Sequence, residues 1–573
     1  MEQKDLDQKD LKVLRHSAAH LTAHAILELY PDTLLTIGPA TEEGFFYDIL
    51  PAKNLKEEDL PKIEAKMHEI SNQNLPIEHK QISKEEARKI FAHNPFKLEL
   101  IEQIPGDTVG LSIQGNFRDL CKGGHVPSTK DIQHFKLTGL SGAYWKANRE
   151  NQALERIHGT AFYTKEEMDE YEKKREELIK FDHRRLGKQL DLFSFHDEGV
   201  GFPFYHPKGK KIVNILVEYM RILHKENNYQ EIGTPILLSD ELWHRSGHYA
   251  YYKENMYFTC VDNQSYAVKP MNCPGSFIVF NTKPRSYREL PLKLAEFGLV
   301  HRHELSGALH GLFRVRAFTQ DDAHIFCTLD QIEEEITVIL KIVFQVTQKF
   351  NFQEVELNLS TKPAKAMGTD EMWEKAIKSL KNALNKFNIP YSIQEGEGAF
   401  YGPKIDIKIQ DSMKRKWQCG TIQLDFFQPE NFDLNYVTPQ GTFERPVIIH
   451  QAIYGSIERF FGILLEHYKG DLPFWISPMQ AKILTITDDQ KEYAQKINLA
   501  LLHAGIRSYL NETSDPINAK IKFAQNERIP WMIIIGKKEV ENNTVSLRTL
   551  EGEQQNNIPL DELIEKAKKL NKF

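Results

Sequence analysis

The spacing of apolar positions changes several times along the chain, and each change predicts a change of architecture. Up to about Phe162, amphipathic helical stretches alternate with short β-rich runs such as Glu43–Ile49. Thr164-Lys-Glu-Glu167 then has the spacing of a capping box, and the charge-laced run that follows, to about Arg185, predicts a helix with little apolar surface. Such a helix is a connector rather than a core element. From about Leu186 to Gly470 the apolar runs are short and strand-like: Tyr266–Lys269, Lys293–Val300, Arg314–Phe318, Glu354–Leu359, Lys404–Ile409, Ile422–Phe426 and Pro446–His450. Few long helices separate them, which predicts a mostly antiparallel sheet flanked by helices. After Pro478 strands (Lys482–Ile486, Arg507–Leu510, Trp531–Ile535, Thr544–Arg548) alternate with helices (Tyr493–Ala504, Ile517–Gln525 and one from Pro559), the signature of a small α/β domain. The expected organisation is multidomain α+β: an α+β domain over 1–163, a linker helix over 164–185, an antiparallel-sheet domain over 186–473 and an α/β domain over 474–573.

Composition narrows the class without naming the chemistry. A chain of 573 residues exceeds what one core organises, in keeping with several domains. The stretch Met1–Arg15 is dense in Lys, Asp and Glu, and no apolar run approaches the roughly 18–20 residues needed to span a bilayer. The expectation is a cytoplasmic protein with no membrane partner. Five scattered cysteines with no C-x-x-C pair do not make a disulfide framework. A formal net charge of −7 means that any RNA contact must use local basic surfaces. Neither the G-x-x-x-x-G-K-[ST] phosphate loop nor a G-x-G-x-x-G turn is present, so a nucleotide would be held by side-chain charges rather than by a glycine-rich backbone.

Candidate charges of that kind lie in Phe297-Gly-Leu-Val-His-Arg302-His-Glu304 and Arg314-Val-Arg316-Ala-Phe318-Thr-Gln320-Asp-Asp322-Ala-His324. The pattern reads as two strands joined by a Gly/Ser/His loop, with Arg302, Glu304, Arg314 and Arg316 on one face. That face is either solvated or suited to a triphosphate with its metal. Much later, Gly455-Ser456-Ile-Glu-Arg459 places another arginine one turn into a helix after a strand. Arg302 with Glu304 resembles motif 2 of class II aminoacyl-tRNA synthetases, Gly455–Arg459 resembles motif 3, and the helix before Tyr229-Gln-Glu-Ile-Gly-Thr-Pro235 is similar to the dimer-forming motif 1. The strings Met271-Asn-Cys-Pro-Gly275, Ser306-Gly-Ala-Leu-His-Gly311 and Phe318-Thr-Gln-Asp-Asp-Ala-His324 resemble the threonine-specific family within that class. The resemblance covers the chain from about residue 12. It implies a class II antiparallel-sheet catalytic domain, an N-terminal editing domain, a C-terminal anticodon-binding domain, and a homodimer that joins L-threonine to tRNA(Thr) at the expense of ATP with Mg²⁺. It also implies that Arg302, Glu304, Arg314 and Arg459 handle ATP phosphates and that Phe318 stacks on adenine.

Nothing in the spacing of Cys273, His324 and His450 says metal; each alone reads as a buried thiol or a satisfied histidine. The resemblance assigns them to one zinc ion per subunit. Threonine and valine are nearly isosteric, so a site that requires the substrate hydroxyl gains discrimination of roughly 10⁴–10⁵ that an apolar pocket cannot supply. The resemblance also makes Met271, Gln320, Asp322, Tyr401, Lys404 and Gln423 threonine contacts, and His248 the group that takes the proton from the ribose hydroxyl, a role suited to a pKa near neutrality.

Serine carries both groups such a site reads and lacks only a methyl, worth about 1–3 kcal/mol, so proofreading is expected. In Arg15-His16-Ser-Ala-Ala-His20 two histidines fall on one helical face, with His24 continuing the stripe, and Asp119-Leu-Cys121-Lys-Gly-Gly-His125 adds a cysteine and a third histidine. By composition this is either a zinc-type ligand set or a polar helix face beside a buried thiol. The resemblance makes it the pocket that hydrolyses seryl-tRNA without a required metal, lined by His16, His20, Tyr47, Lys97, Asp119, Cys121 and His125, with Gly124 where many relatives carry proline. In the last domain Glu539 and Arg548 match positions that read anticodon bases. Many members of the family begin with a ubiquitin-like domain, which is expected to be dispensable for aminoacylation because no residue assigned above would lie in it.

Overall fold

A computed structural model of the chain describes residues 2–148, 150–364, 366–387 and 389–572. It divides into two compact units, Met1–Glu177 and Leu178–Phe573. In the first, the elements run α1 (Glu2–Leu29), β1 (Phe45–Leu50), α2 (Leu60–Asn72), β2 (Ile77–Ser83), α3 (Pro95–Gln103), β3 (Thr108–Gln114), β4 (Phe117–Leu120), β5 (His134–Tyr144) and β6 (Ala153–Phe162). Leu34–Leu35, β1, β6 and β5 form one antiparallel sheet and β2, β3 and β4 another. α1 buries Leu14, Ala18, Ala19, Leu21, Ala23 and Ile26 completely. Alanine and leucine favour a helix, and the small alanines let sheet and helix approach closely. The strand read at Glu43–Ile49 forms two residues later, as β1.

The capping box at Thr164 forms as expected, with the Glu167 N–H donating to Thr164 Oγ1 at 3.2 Å and the Thr164 N–H donating to Glu167 Oε2 at 3.1 Å. The helical run to Arg185 is not continuous, however. α4 (Lys165–Lys180) stops, and Asp182, in an extended backbone conformation, caps a new helix, α5 (His183–Gln189), by accepting from the Arg184 N–H at 2.8 Å.

The second unit holds α6 (Pro207–Glu226), α7 (Cys273–Phe280), β7 (Leu292–His301), β8 (Ala317–Cys327), α8 (Ile332–Lys349), β9 (Val355–Ser360), β10 (Lys404–Gln410), β11 (Lys416–Asp425), β12 (Val447–Ala452) and α9 (Ile457–His467). Its eight-stranded sheet has the order Gln230–Glu231, β7, β8, β12, β11, β10, β9, Tyr391–Gln394, antiparallel throughout except at its two edges. Alternation along the strands sends Ile325, Ile405, Ile422, Leu424 and Ile449 into the core with α6 and α8. In α8, Ile336, Ile339, Leu340 and Val343 fall at the helical spacing that makes one apolar stripe. The opposite face of the sheet is left for polar side chains. The strand expected at Arg314–Phe318 starts only at Ala317, because the Arg316 N–H donates outside the ladder, to Gly201 O at 2.7 Å.

Near the C-terminus, β13 (Ala481–Thr485), α10 (Lys491–His503), β14 (Ser508–Asn511), α11 (Ile517–Asn526), β15 (Trp531–Ile535), α12 (Lys537–Asn542), β16 (Thr544–Thr549), β17 (Gln554–Pro559) and α13 (Leu560–Leu570) follow. The sheet order is β14, β13, β15, β16, β17, parallel across the first three and antiparallel across the last three. Among the described residues no helix is long and apolar enough to cross a membrane.

Candidate functional site

The polar face of the large sheet builds the site by register. Lys404 pairs with Gln423, Gln423 with His450 and His450 with His324, so one row of side chains crosses β10, β11, β12 and β8. Side chains two residues apart share a face, which brings Asp322 and Gln320 onto the same surface. Cys273 arrives from outside the sheet, at the first turn of α7. Its sulfur and the ligand atoms of His324 and His450 all lie within 4.8 Å of one another. Among the buried side-chain atoms, His324 Nε2 has no hydrogen-bond partner. His450 Nε2 is 3.0 Å from Asp425 Oδ2, a buried carboxylate that fixes the ring and leaves Nδ1 as the nitrogen not engaged by it. A thiolate with two imidazoles is a set that suits zinc. Burial alone pushes the Cys273 thiol well above its ordinary range, with Asp322 and Asp425 adding to the effect, so its anion needs a cation beside it.

These groups open into a cavity of about 590 Å³. All the candidate ATP, threonine and metal residues line it, and among the candidate catalytic residues only His248 does not. Arg302, Glu304, Arg314 and Arg316 are not on strand faces, contrary to the sequence pattern. They lie just beyond the last rung of the β7–β8 ladder, His301 with Ala317. The Arg302 guanidinium sits 5.0 Å from the centre of the Phe318 ring, Arg314 Nε donates to Glu304 Oε2 at 2.9 Å, and Arg316 Nε is spent on Glu304 O at 2.9 Å. Arg459, in the first turn of α9, donates through Nη1 to Phe313 O at 3.1 Å. Ser456 caps that helix by accepting from the Arg459 N–H.

Around the threonine side, Asn272 Nδ2 donates to Asp322 Oδ2 at 3.2 Å, the Tyr401 hydroxyl donates to Gln423 Oε1 at 3.2 Å, and Lys404 Nζ is 2.8 Å from Asp406. Burial pushes Asp322 up to about 6, the nearby His450 charge and the Asn272 hydrogen bond opposing it. His248 stands behind the wall, its Nδ1 2.7 Å from Ser246 Oγ and its Nε2 2.9 Å from Met271 Sδ. Burial, with His450 and Arg302 adding to it, lowers its pKa to about 4 rather than leaving it near neutrality. Three residues escaped the sequence reading: Asn272, Asp425, and Asp321, whose carboxylate accepts from the backbone N–H groups of Ile453, Tyr454 and Gly455 and so holds the turn before α9. A charged residue between Leu424 and Phe426 was the available signal for Asp425, whereas Asp321 sits in the polar stretch Thr319–Asp322 and carries no such signal.

The first unit brings its seven predicted residues together. Cys121 Sγ lies 3.0 Å from His125 Nε2 and 3.6 Å from His16 Nε2, and His16 Nε2 lies 3.3 Å from His20 Nε2. His20 Nδ1 is 3.2 Å from Asp119, which also accepts from the Tyr47 hydroxyl at 2.5 Å and pairs with Lys97. His24 turns away, its Nδ1 2.8 Å from Gln114 and its ring stacked on Phe117. Gly124 has φ +82°, which proline cannot adopt, so this turn follows a path closed to a prolyl residue.

Burial opposes charge on His20, but hydrogen bonds to Asp119 and Cys121 win and raise its pKa from 6.5 to about 9. Burial likewise opposes the Cys121 thiolate, and the three histidines win, lowering it from 9.0 to about 3. Taken alone, His20 contributes stability that is complete below pH 6.5 and lost as pH rises through about 9. Taken alone, Cys121 contributes stability that is complete above pH 9 and lost as pH falls through about 3. Between 6.5 and 9 native and unfolded forms hold one proton each over the pair, on His20 in the first and on the thiol in the second, so the slopes cancel. Below 6.5 the unfolded imidazole takes another proton. Hydrogen exchange of the α1 amides is therefore expected to show constant protection from pH 6.5 to 9 and weakening below 6.5, after correction for intrinsic exchange. Cys121→Ser should replace the plateau with a decline above 6.5, and a plateau retained in that variant would refute the pairing.

In the C-terminal domain Glu539 Oε2 accepts from the Gly536 N–H at 2.9 Å and Glu539 Oε1 from Ser546 Oγ at 2.8 Å. Ser546 and Arg548 share a face of β16, which places the two candidate anticodon residues on one surface.

Comparison with known proteins gives a consistent set of similarities. The family described as tRNA synthetase class II core domain (G, H, P, S and T) matches residues 257–468, the anticodon binding domain matches 476–570, and the threonyl and alanyl tRNA synthetase second additional domain matches 111–158. The chain is 50% identical over 563 residues to a threonine–tRNA ligase of Clostridium tetani, covering 98% of this chain and 88% of that one. It is 50% identical over 545 residues to that of Carboxydothermus hydrogenoformans, covering 95% and 86%. A crystal structure of the RNA binding domain of threonyl-tRNA synthetase from Cryptosporidium parvum superposes with a TM-score of 0.66 at 44% identity, over 68% of this chain and 98% of that one.

Proposed function

This chain belongs to the threonine–tRNA ligase family, and from that premise we propose how its own residues divide the work of activating threonine, transferring it to tRNA and hydrolysing seryl-tRNA. The reading is carried by one observation: the Cys273, His324 and His450 cluster shares a single cavity with Arg302, Arg459 and Phe318. Amino-acid selection and nucleotide handling therefore meet in one place.

In the first step the threonine carboxylate attacks the α-phosphorus of ATP and pyrophosphate leaves. Arg302, Arg314 and Arg459 neutralise phosphate charge, Glu304 steers Arg314, and Phe318 with Arg302 over its ring gives adenine a stacking surface. Such fixed charges lower the barrier because they need no reorganisation as charge moves. Mg²⁺ accompanies the triphosphate. Asp322 is suited to accept a hydrogen bond from the substrate amino group, which would favour its ionised form against the burial that raises its pKa. Cys273, His324 and His450 would hold zinc, and when bound it supplies a Lewis-acidic centre that the amino acid's amine and hydroxyl can both reach. Gln320, Tyr401, Lys404, Gln423 and Met271 shape the surrounding pocket.

In the second step a terminal ribose hydroxyl attacks the mixed anhydride and AMP leaves. His248 serves this step only after a rearrangement that uncovers it from Met271. In the first unit Lys97 and His20, both beside Asp119, supply positive charge toward the carbonyl oxygen of a seryl ester as water attacks it. Glu539 and Arg548 offer hydrogen bonds to anticodon bases. Exposed Ile236 and Leu237, next to the motif 1 resemblance, and Leu299, on the strand that Gln230–Glu231 pairs with, support a homodimer. The protein works in the cytoplasm, where its substrates are.

ATP–pyrophosphate exchange tests the assignment. Threonine is expected to support strong exchange, serine weaker exchange and valine negligible exchange, with activity lost when zinc is stripped and regained when it is restored. Zinc-loaded protein inert toward all three would refute the reading.

A further inference from the structure

Asp182, His183 and Glu466 are another close-set group of ligand-type side chains, and nothing in the reaction described above uses them. A metal does not suit them, because both imidazole nitrogens of His183 are committed. His183 Nδ1 is 2.7 Å from Glu466 Oε1, and His183 Nε2 accepts from the Leu312 N–H at 3.0 Å. The tautomer is thereby fixed, with the proton on Nδ1 and the lone pair on Nε2. Glu466 Oε1 also accepts from the His183 backbone N–H at 2.9 Å, and its other oxygen lies 2.6 Å from Arg415, which pairs with Asp411. His183 is fully buried and Glu466 nearly so. The imidazole is therefore clamped from behind, and its one free function is to accept a hydrogen bond from the loop.

That loop segment leads directly into the candidate ATP site. Leu312 and Phe313 immediately precede Arg314. The Phe313 ring centre is 4.0 Å from that of His183 and 4.4 Å from that of Trp417. The Phe313 carbonyl accepts from Arg459 Nη1. Gly311, at φ +48°, presses so closely on the ring that a Cβ there would come within 2.2 Å of His183 Nε2.

We infer that His183 is a positioning residue for ATP: by holding the Leu312 N–H it fixes the carbonyl of Phe313, which orients the Arg459 guanidinium, and fixes the start of Arg314. This rests on the reading of Arg459 and Arg314 as phosphate-binding groups. The chemistry separates positioning from packing. Asparagine at 183 can keep a donor to Glu466 but loses the acceptor for Leu312, whereas glutamine can place an oxygen near Nε2 and lose the donor.

The test is ATP–pyrophosphate exchange on the full chain with His183→Asn, His183→Gln and Gly311→Ala, the last driving the loop and the His183 ring apart because its Cβ would meet Nε2 at 2.2 Å. His183→Asn and Gly311→Ala are expected to raise the KM for ATP roughly tenfold, with the KM for threonine and the rate of seryl-tRNA hydrolysis unchanged, and His183→Gln to restore most of the loss. A residue that merely joined α5 to α9 would give the reverse order, with Asn mild and Gln severe, and that result overturns the inference. So does an unchanged KM for ATP in Gly311→Ala, the deciding result if neither His183 variant folds. Arg459→Ala, run alongside, separates the two claims: if it leaves the KM for ATP unaltered, the phosphate reading fails rather than the role of His183.

Discussion

Cys273→Ala is expected to abolish zinc binding and to lower threonine-dependent ATP–pyrophosphate exchange by about 10³-fold or more, while seryl-tRNA hydrolysis continues at its normal rate. The size of the effect follows from what the pocket has left. Once Cys273 is gone, two imidazoles remain beside Asp322, and a divalent ion loses its only anionic ligand of the three. The polar groups left in the lining are engaged elsewhere, Tyr401 with Gln423, Lys404 with Asp406 and Asp322 with Asn272, so selectivity for threonine over valine should fall with the rate. Folding is not the explanation to fear. Cys273 belongs to a small apolar cluster with Phe277 and Phe432, apart from the main core packed by α6 and α8. Atomic absorption gives the metal content, and exchange gives the rate. A variant that still held one zinc per chain, or that activated threonine normally without it, would remove these residues from amino-acid selection.

Why the metal site was invisible as a spacing, yet present as a resemblance, is a matter of register. Alternation such as Ile422, Gln423, Leu424 announces a strand with one apolar face, and that much is local. Whether Gln423 faces His450, and His450 faces His324, is decided by pairing between strands far apart in sequence, to which local alternation is blind. The same limit explains Arg302, Glu304, Arg314 and Arg316. Their alternation looked like one face of a hairpin, but the ladder ends at His301 and Ala317, and it is the loop beyond that carries the charges to the cavity. His248 shows the converse failure: its role was named from resemblance, but burial against Met271, which no spacing reveals, sets its pKa. In the first unit the helical spacing of His16 and His20 was legible. That His24 leaves the stripe was not, because it is settled by Gln114 and Phe117 on another sheet.

Lys97→Met is expected to slow seryl-tRNA hydrolysis about 10²–10³-fold and to leave activation of threonine and serine unchanged, so that seryl-tRNA accumulates during aminoacylation. Lys97 and Asp119 are both almost fully buried, and Asp119 also faces His20 and Tyr47. Burial alone would keep Asp119 neutral, but Lys97 and His20 outweigh it and hold the carboxylate ionised. That arrangement admits two explanations for a loss of hydrolysis. Removing one partner of a buried ion pair typically costs about 3–5 kcal/mol because the other charge is left uncompensated, and a destabilised pocket would hydrolyse poorly whatever Lys97 does to the ester. The double variant Lys97→Met with Asp119→Asn separates the two, since it removes both charges and recovers much of the stability. If Lys97 directs its charge at the ester, protection of the α1 amides returns in the double variant while hydrolysis stays low. If hydrolysis returns together with stability, Lys97 is a structural counter-ion, and the charge that acts on the ester must come from elsewhere in the cluster, with His20, whose charged form Cys121 also favours, the candidate.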